Sequence, residues 1–306
     1  MTGKVAREAG GVGSGNRGSC NAARGPRERN GSLNDTVAAQ VTISRKTEGR
    51  WTVSESTIDF SKYEEKTFES FRRRAVNPTL SLHEKVGFPD SYREGKEAEI
   101  LDDIVFKLTN LRSQNQIVVD LGAGCSGLAT LLMDHCGERG SQLFQVDSPE
   151  MLALLPEALH VSRMAGRFPD ACTELFDAVR GRANCVLAYS VLSCVFAEAN
   201  VFDFVDRALD LLASGGQLLL ADLPNVSKRK RFFVSEAGIR FHQEFTGTSE
   251  MPSVEFNVPE PGAFDDAVVL ALVARCRLAG FDAYVLPQAE GLPMSNRRED
   301  ILVTKP

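Results

Sequence analysis

A short apolar run that ends in an acid and three spaced glycines restricts most strongly how this chain can fold. Residues 118–129 read VVDLGAGCSGLA and place Asp120, Gly122, Gly124 and Gly127 in the pattern Asp-x-Gly-x-Gly-x-x-Gly. Glycines at this spacing allow a tight turn between a strand and a helix, and they let a ligand approach the backbone. The segment therefore predicts a strand–loop–helix unit with a ligand at the end of the strand.

Apolar runs and helical patterns alternate along the chain after residue 110. The runs predict buried strands at 117–121, 142–146, 160–164, 185–189 and 217–221, with helices at 128–136, 151–155, 171–179 and 202–212. A helix at 267–278 then precedes two closing strands at 281–286 and 301–304, which a polar loop joins as an antiparallel hairpin at the sheet edge. This order predicts an α/β fold with a mostly parallel sheet and helices on both faces.

Charge and composition divide the chain into three parts. Residues 1–50 hold nine Lys and Arg against four Asp and Glu, a net charge of +5, and are rich in glycine, so we predict a disordered basic tail. The other 256 residues carry −11, which together with +5 gives the net charge of −6 for the whole chain. Helical patterns at 57–76, 79–92 and 93–110 predict a helical cap over 51–110. The α/β domain follows at 111–306, with an insertion at 224–262 that interrupts the alternation.

Composition also excludes several classes of protein. No run of about 18 apolar residues is present, so a membrane-spanning helix is not expected. Seven cysteines without a CxxC or Cys/His ligand spacing indicate reduced thiols and a cytoplasmic protein rather than a disulfide framework or a zinc site. The negative net charge disfavours a nucleic-acid partner, so we expect a small-molecule substrate.

Two acidic residues restrict the class of ligand that the glycine loop can bind. Asp120 ends the first strand, where a carboxylate suits a cationic or hydroxylated group better than a pyrophosphate. Asp147 ends the second strand, about 20 residues past Gly127, where an acid accepts hydrogen bonds from ribose hydroxyls. Both NAD and S-adenosylmethionine contain such a ribose, so these residues alone leave both cofactors open.

Four segments resemble motifs of the class I S-adenosylmethionine-dependent methyltransferases. VVDLGAGCSG is similar to their first motif, LFQVDS to the ribose motif, VLAYSVL to the fourth-strand motif, and LLASGGQLLLADLP to the helix-to-fifth-strand motif. SLHEKVGFPDSYREG, SKRKRFF and LPMSNRREDILV are similar to a bacterial subgroup that acts on small molecules, with sugar-related compounds as one candidate class. The resemblance covers about residues 57–306. It implies a Rossmann-like seven-stranded sheet with the cofactor, S-adenosylmethionine, across the carboxyl ends of strands one, two and four.

The resemblance also assigns cofactor-binding roles. Gly122 and Gly124 match the glycines beneath the amino-acid part of the cofactor, next to Asp120, and Asp147, followed by Ser148, matches the acid that binds the ribose. The other matched positions lie beside the adenine (Arg167 and Phe168), beside the sulfonium (Tyr189 and Ser190), and before the first strand, where an arginine can pair with the cofactor carboxylate (Tyr92 and Arg93). Strand four ends in Ala-Tyr-Ser and not in Asn-Pro-Pro-Tyr, which disfavours a DNA base or a glutamine as substrate.

Methyl transfer to a hydroxyl group also needs a base. His242 in the insertion is our first candidate and His83 in the cap is the second. Asp222, at the end of strand five, is the third, because it points into the opening at the carboxyl ends of the strands. Asp222 and Asn225 alone provide too few ligands for a magnesium ion, so we predict no metal.

These features together predict methyl transfer to a small molecule, at the oxygen of a polar or anionic acceptor. The basic run at 228–231 lies on a predicted lid and favours the anionic class. Three alternatives remain: an enzyme that uses S-adenosylmethionine for other chemistry, a cofactor-binding protein without catalysis, and a nicotinamide oxidoreductase. A homodimer is one option for the oligomeric state.

Overall fold

The computed structural model describes residues 40–43, 53–56 and 65–306. Most of the predicted tail, and the start of the helix predicted at 57–76, lie outside these residues. Within the first two segments, β1 (Gln40–Ile43) pairs with β2 (Val53–Ser56) in an antiparallel two-stranded sheet.

In the described part of the predicted cap there are four helices, which are shorter than the sequence pattern indicates. They are α1 (Phe68–Ala75), α2 (Leu82–Lys85), α3 (Asp90–Arg93) and α4 (Glu97–Lys107), followed by a 3-10 turn at Thr109–Arg112. Thr67 and Ser81 begin α1 and α2 with capping boxes, in which each side chain accepts a hydrogen bond from the first turn. Only α1–α3 act as a cap, because α4 packs into the core of the α/β domain.

A seven-stranded sheet forms the centre of the α/β domain. Its strands are β3 (Ile117–Leu121), β4 (Gln142–Asp147), β5 (Val161–Ala165), β6 (Ala183–Tyr189), β7 (Leu212–Pro224), β8 (Asp282–Pro287) and β9 (Arg298–Thr304). Their order is β5-β4-β3-β6-β7-β9-β8, with β3 to β7 parallel and β9 antiparallel to both β7 and β8. This confirms the predicted mostly parallel sheet with an antiparallel closing hairpin.

Helices cover both faces of this sheet. One face carries α4 and α5 (Gly127–Glu138), and the other carries α7 (Thr173–Val179), α9 (Val201–Asp210) and α12 (Asp266–Leu278). Alternate residues of each strand face opposite layers: Val119 packs in one core cluster and Val118 in the other. Two shorter helices, α6 (Pro149–Leu152) and α8 (Leu192–Glu198), follow β4 and β6.

The insertion between β7 and α12 contains a helical hairpin that the sequence pattern did not predict. It consists of α10 (Val226–Phe233) and α11 (Glu236–Thr246), whose amino termini are capped by Asn225 and Ser235. Four phenylalanines join the two helices through ring contacts: Phe232, Phe233, Phe241 and Phe245. Among the helices that the structure describes, none has the length and apolar character needed to cross a membrane.

Candidate functional site

A cavity of about 490 Å³ lies at the carboxyl ends of β3, β4 and β6. The volume falls within the range of small-molecule sites. Its walls come from the glycine loop, the ends of the three strands, the loop after β5, helices α8 and α9, and the cap. The cap contributes aromatic side chains and one arginine: Phe68, Phe71, Phe88 and Arg93.

The glycine loop turns sharply at the floor of this cavity. Gly122 and Gly124 have φ values of 77° and 65°, in the left-handed region that favours glycine. A Cβ atom on Gly122 would lie 2.5 Å from Val191 Cγ2, and one on Gly124 would lie 2.8 Å from Val86 Cγ1. Both the backbone and the packing therefore require glycine at these two positions.

Asp147 connects the end of β4 to the glycine loop. Its Oδ2 accepts a hydrogen bond from the Gly124 N–H at 2.8 Å, and its Oδ1 accepts one from the Ser148 N–H at 2.6 Å. Ser148 itself caps α6 and does not line the cavity. Burial raises the pKa of Asp147 against the effect of these two hydrogen bonds. Each carboxylate oxygen can accept a further hydrogen bond, which is what a ribose diol requires.

Asp120 is a second acid in the cavity wall. Its side chain is 4% exposed and accepts no hydrogen bond from the residues that the structure describes. Burial, with a smaller contribution from the charge of Asp147, raises the pKa of Asp120 to about 7. A cationic group in the cavity would stabilise the ionised form of this acid.

Arg93 links the cap to the ends of β6 and β7. Its Nη2 donates hydrogen bonds to Ser190 Oγ at 2.7 Å and to Asp222 Oδ2 at 2.5 Å, and its guanidinium lies 3.7 Å from the centre of the Phe88 ring. The Ser190 hydroxyl also donates to Asp222. Arg93 and Ser190 line the cavity, which places the arginine where the resemblance expects a partner for the cofactor carboxylate.

Asp222 is held by groups from four parts of the chain. Besides Arg93 and Ser190, Arg298 Nη1 donates to its Oδ2 at 2.6 Å and Gln288 Nε2 donates to its Oδ1 at 3.3 Å. The side chain is buried and does not line the cavity. The base role predicted for Asp222 stays a prediction, and these contacts favour a positioning role for the carboxylate.

Ser190 and Asp222 also share an unusual backbone conformation. Their φ values are 62° and 61°, in the left-handed region that residues other than glycine seldom adopt. Ser190 directly follows β6 and Asp222 lies near the end of the neighbouring β7, and the Ser190 N–H donates to the Ala221 carbonyl at 3.0 Å. Such conformations persist where surrounding contacts fix them, and they are common at functional sites.

Tyr189 lines the cavity at the end of β6, whereas Tyr92 does not. Burial, and then the charge of Asp222, keep the pKa of Tyr189 well above its usual value. Its phenol therefore stays protonated at neutral pH. Burial likewise raises the pKa of Tyr92, on which the charges of Arg297 and Arg298 act in the opposite direction.

Arg167 and Phe168 line the far end of the cavity, where the resemblance expects the adenine. Phe168 is fixed by ring contacts to Phe176 at 5.7 Å and Phe204 at 5.1 Å between ring centres. Arg167 lies 3.4 Å from Glu198, which also accepts the Phe68 N–H at 2.9 Å and so connects this end to α1.

The two histidine candidates lie outside the cavity wall. His83 lies between two carboxylates, with Nδ1 at 3.1 Å from Asp90 Oδ1 and Nε2 at 2.5 Å from Glu97 Oε1. His242 is on α11, where its ring stands perpendicular to that of Phe233 at 6.3 Å. Their base roles are untested predictions, and His83 has both ring nitrogens occupied by carboxylates.

Each residue of the basic run on α10 has a partner within the chain. Arg229 and Lys230 pair with Glu260 at 2.8 and 3.2 Å, and Arg231 pairs with Asp266 at 2.5 Å. Lys228 donates to the Arg298 carbonyl oxygen at 2.6 Å. The run is therefore a weaker argument for an anionic acceptor than the sequence suggested.

Several residues of the site escaped the sequence analysis. Phe68 and Phe71, which line the cavity, fall on the apolar stripe of the helix predicted at 57–76, a pattern that core residues share. Arg298 and Gln288, which hold Asp222 outside the cavity wall, belong to the closing hairpin, which carries no ligand motif. Within the described part of the chain, no group of three or more His, Cys, Asp or Glu residues could hold a metal ion.

No protein-family model and no curated protein matches the chain. Solved structures of methyltransferases do match it. The CurJ carbon methyltransferase has 15% identity and a TM-score of 0.49 over 85% of this chain and 75% of its own. The N-methyltransferase NodS from Bradyrhizobium japonicum WM9, in complex with S-adenosylhomocysteine, has 12% identity and a TM-score of 0.48 over 79% of this chain and 100% of its own.

A third match is the plantazolicin methyltransferase BpumL in complex with a monoazolic desmethylPZN analogue and S-adenosylhomocysteine. It has 10% identity and a TM-score of 0.48 over 78% of this chain and 97% of its own. The solved structures to which the chain is similar are thus methyltransferases, two of them in complex with S-adenosylhomocysteine.

Proposed function

We propose that this protein binds S-adenosylmethionine in the cavity and transfers its methyl group to a small molecule. One observation carries the proposal: Asp120, the glycine loop and Asp147 line a single cavity at the carboxyl ends of adjacent parallel strands. A cationic amine, a close approach to the backbone and a ribose diol are the features of the cofactor that these three elements suit.

The residues of the cavity fit the cofactor part by part. Asp120, which lacks a hydrogen-bond partner among the described residues, would hold the ammonium group, and Arg93 would hold the carboxylate. Asp147 would bind the ribose, and the apolar wall around Phe168 would take the adenine. The two glycines keep the floor free of side chains, because a Cβ atom at either position would clash with a valine.

The protein contributes chiefly alignment and shielding. When bound, the cofactor supplies a methyl group on a sulfonium centre with a neutral leaving group, so orientation of the acceptor matters most. Tyr189 and Ser190 occupy the end of β6, and the network of Arg93 with Asp222 fixes Ser190 in place. Phe68, Phe71 and Phe88 cover the cavity from the cap and would exclude water.

Oxygen as the methylated atom, and a polar or anionic acceptor, are finer parts of this proposal. We assign His242 as the base because it lies in the insertion beside β7, while Asp222 is already held by two arginines. A cytoplasmic location also belongs to the proposal, since the six cysteines among the described residues are free.

Transfer of labelled methyl groups tests the proposal. We expect the protein to convert methyl-labelled S-adenosylmethionine to S-adenosylhomocysteine and a labelled product with one of a panel of sugar nucleotides and amino-acid derivatives. Consumption of the cofactor without a labelled product would instead indicate other chemistry. Binding without turnover across the panel would indicate a non-catalytic protein, and binding of NAD instead would favour an oxidoreductase.

A pair of variants tests the base. His242→Ala should lower kcat by roughly 100- to 10,000-fold with unchanged affinity for S-adenosylhomocysteine. Glu244→Ala, an exposed change on the same helix, should leave kcat unchanged. Equal rates for the two variants would remove His242 from the mechanism.

A further inference from the structure

Among the residues that the structure describes, Arg297 differs from the other arginines around the candidate site because its hydrogen bonds find no acceptor. Its Nε is completely buried, and its guanidinium donates to no residue in this part of the chain. Another partly buried arginine, Arg163, donates to the carbonyl oxygens of Leu155 and Pro156. Buried polar groups in proteins are nearly always hydrogen-bonded, so this guanidinium requires an explanation.

The surroundings of Arg297 add positive charge and apolar surface. Burial lowers the pKa of Arg297, and the nearby charges of Arg298 and Arg229 act in the same direction. Both neighbours pair with carboxylates, Arg298 with Asp222 and Arg229 with Glu260. The charge of Arg297 has no carboxylate within ion-pair distance among the described residues. An oxyanion would therefore find an uncompensated guanidinium here.

Aromatic rings lie against the same guanidinium. The Arg297 Cζ is 5.9 Å from the centre of the Phe233 ring and 5.6 Å from that of Phe241. His242 stands edge-on to Phe233, and the Tyr92 phenol is near enough for its pKa to respond to Arg297. These contacts stabilise a cation, but they accept none of its N–H hydrogen bonds.

Arg297 also lies at the carboxyl edge of the sheet, although it is not among the residues that line the cavity. It directly precedes β9, and its carbonyl oxygen accepts the Asn225 N–H at 3.0 Å, just past the end of β7. Because β9 is antiparallel to β7, its first residues lie at the carboxyl edge that holds the candidate cofactor site. The next residue, Arg298, contacts Phe88, which lines the cavity.

We propose that Arg297 binds an anionic group of the methyl acceptor, a carboxylate or a phosphate, with Phe233 and Phe241 packing against the adjoining part of the molecule. The identification of the ligand as the methyl acceptor rests on the proposed function. The anion site itself rests only on the contacts of Arg297. Charge selection at this site thus depends on Arg297 and not on the basic run of α10.

Calorimetry with simple aromatic anions tests this site. Benzoate and phenyl phosphate serve as probes and benzamide as the neutral control, each titrated into the full chain with and without S-adenosylhomocysteine. We expect the wild type to bind at least one anion but not benzamide, and the tighter anion identifies the acceptor class. Arg297→Gln should weaken that binding by about tenfold or more. Arg297→Lys keeps the charge but not the planar guanidinium, so its anion affinity should lie between those of the wild type and Arg297→Gln.

The control is Arg240→Gln, which removes an exposed arginine of α11 and should leave anion binding unchanged. Equal anion affinity of Arg297→Gln and the wild type would overturn the inference, as would a wild type that binds neither anion. Binding of S-adenosylhomocysteine is read separately in the same titrations. If the wild type does not bind S-adenosylhomocysteine, the proposed function is refuted. The anion titrations still decide the role of Arg297 in that case.

Discussion

Asp120 allows a test in which stability and ligand binding change in opposite directions. In the unliganded protein, burial and the nearby charge of Asp147 raise the pKa of Asp120 from 3.8 to about 7. A shift of about three units corresponds to about 4 kcal/mol at 1.36 kcal/mol per unit. The folded state holds the proton more tightly than the unfolded state, so this group stabilises folding fully below pH 3.8 and the benefit is lost as pH rises through 7.

Asp120→Asn removes the ionisation and keeps the shape of the side chain. At pH 8 the variant should therefore be more stable than the wild type by up to about 4 kcal/mol, and the gain should shrink as the pH falls towards 4. Urea unfolding of both proteins across this pH range measures the difference in their free energies of unfolding. Asp134→Asn, an exposed change on α5, removes the same charge without burial and should show no such gain.

Binding should respond in the opposite sense. Without the carboxylate the ammonium group of the cofactor loses its partner, so Asp120→Asn should weaken S-adenosylhomocysteine binding by about ten- to a hundredfold. In the wild type, affinity should fall as pH drops below 7, because the acid must be ionised to pair with the ligand. A variant that is less stable than the wild type at pH 8 would refute the reasoning about burial. Unchanged affinity would refute the assignment of the ammonium site.

Three further substitutions test other parts of the site. Asp147→Ala should weaken S-adenosylhomocysteine binding by roughly 2–3 kcal/mol, because the ribose hydroxyls lose their acceptor; an unchanged calorimetric affinity would contradict the ribose assignment. Gly122→Ala should destabilise the fold by roughly 1–3 kcal/mol more than Gly181→Ala, which has a similar φ of 70° but no atom within 4 Å of its added Cβ. Asp222→Asn should cost roughly 3–5 kcal/mol in urea unfolding, because the buried Arg93 and the partly buried Arg298 lose their counter-charge; no change would contradict the positioning role.

The sheet could be predicted from sequence because buried parallel strands are continuous apolar runs that end at glycines or acids. The start of β7 could not: Leu212 pairs with Ala183 and Gln217 with Cys185, and the irregular register between them depends on the neighbouring strand. The α10–α11 hairpin was missed because α10 has no buried residue to create an apolar stripe. The two capping residues of the hairpin were the available local signal.

The cofactor half of the candidate site was within reach of sequence reasoning, and the rest was not. Asp120 and Asp147 meet because carboxyl ends of adjacent parallel strands lie at one edge, so their positions follow from strand order. The surroundings of Asp222 depend on Gln288 and Arg298, which are 66 and 76 residues further along the chain. No local sequence pattern indicates that these two residues bind the Asp222 carboxylate. Their hydrogen bonds to it can be seen only in the three-dimensional structure.

The cations near the mouth show why a charged run alone does not identify a binding site. Four consecutive basic residues attract attention in the sequence, yet the structure gives each an acid or a carbonyl oxygen as partner. A cation that already has a partner offers a ligand less uncompensated charge than a cation without one. Among the described residues Arg297 has no hydrogen-bond acceptor, and its guanidinium lies beside two rings. We therefore expect neutralisation of Arg231 to leave anion affinity unchanged, whereas neutralisation of the single Arg297 lowers it.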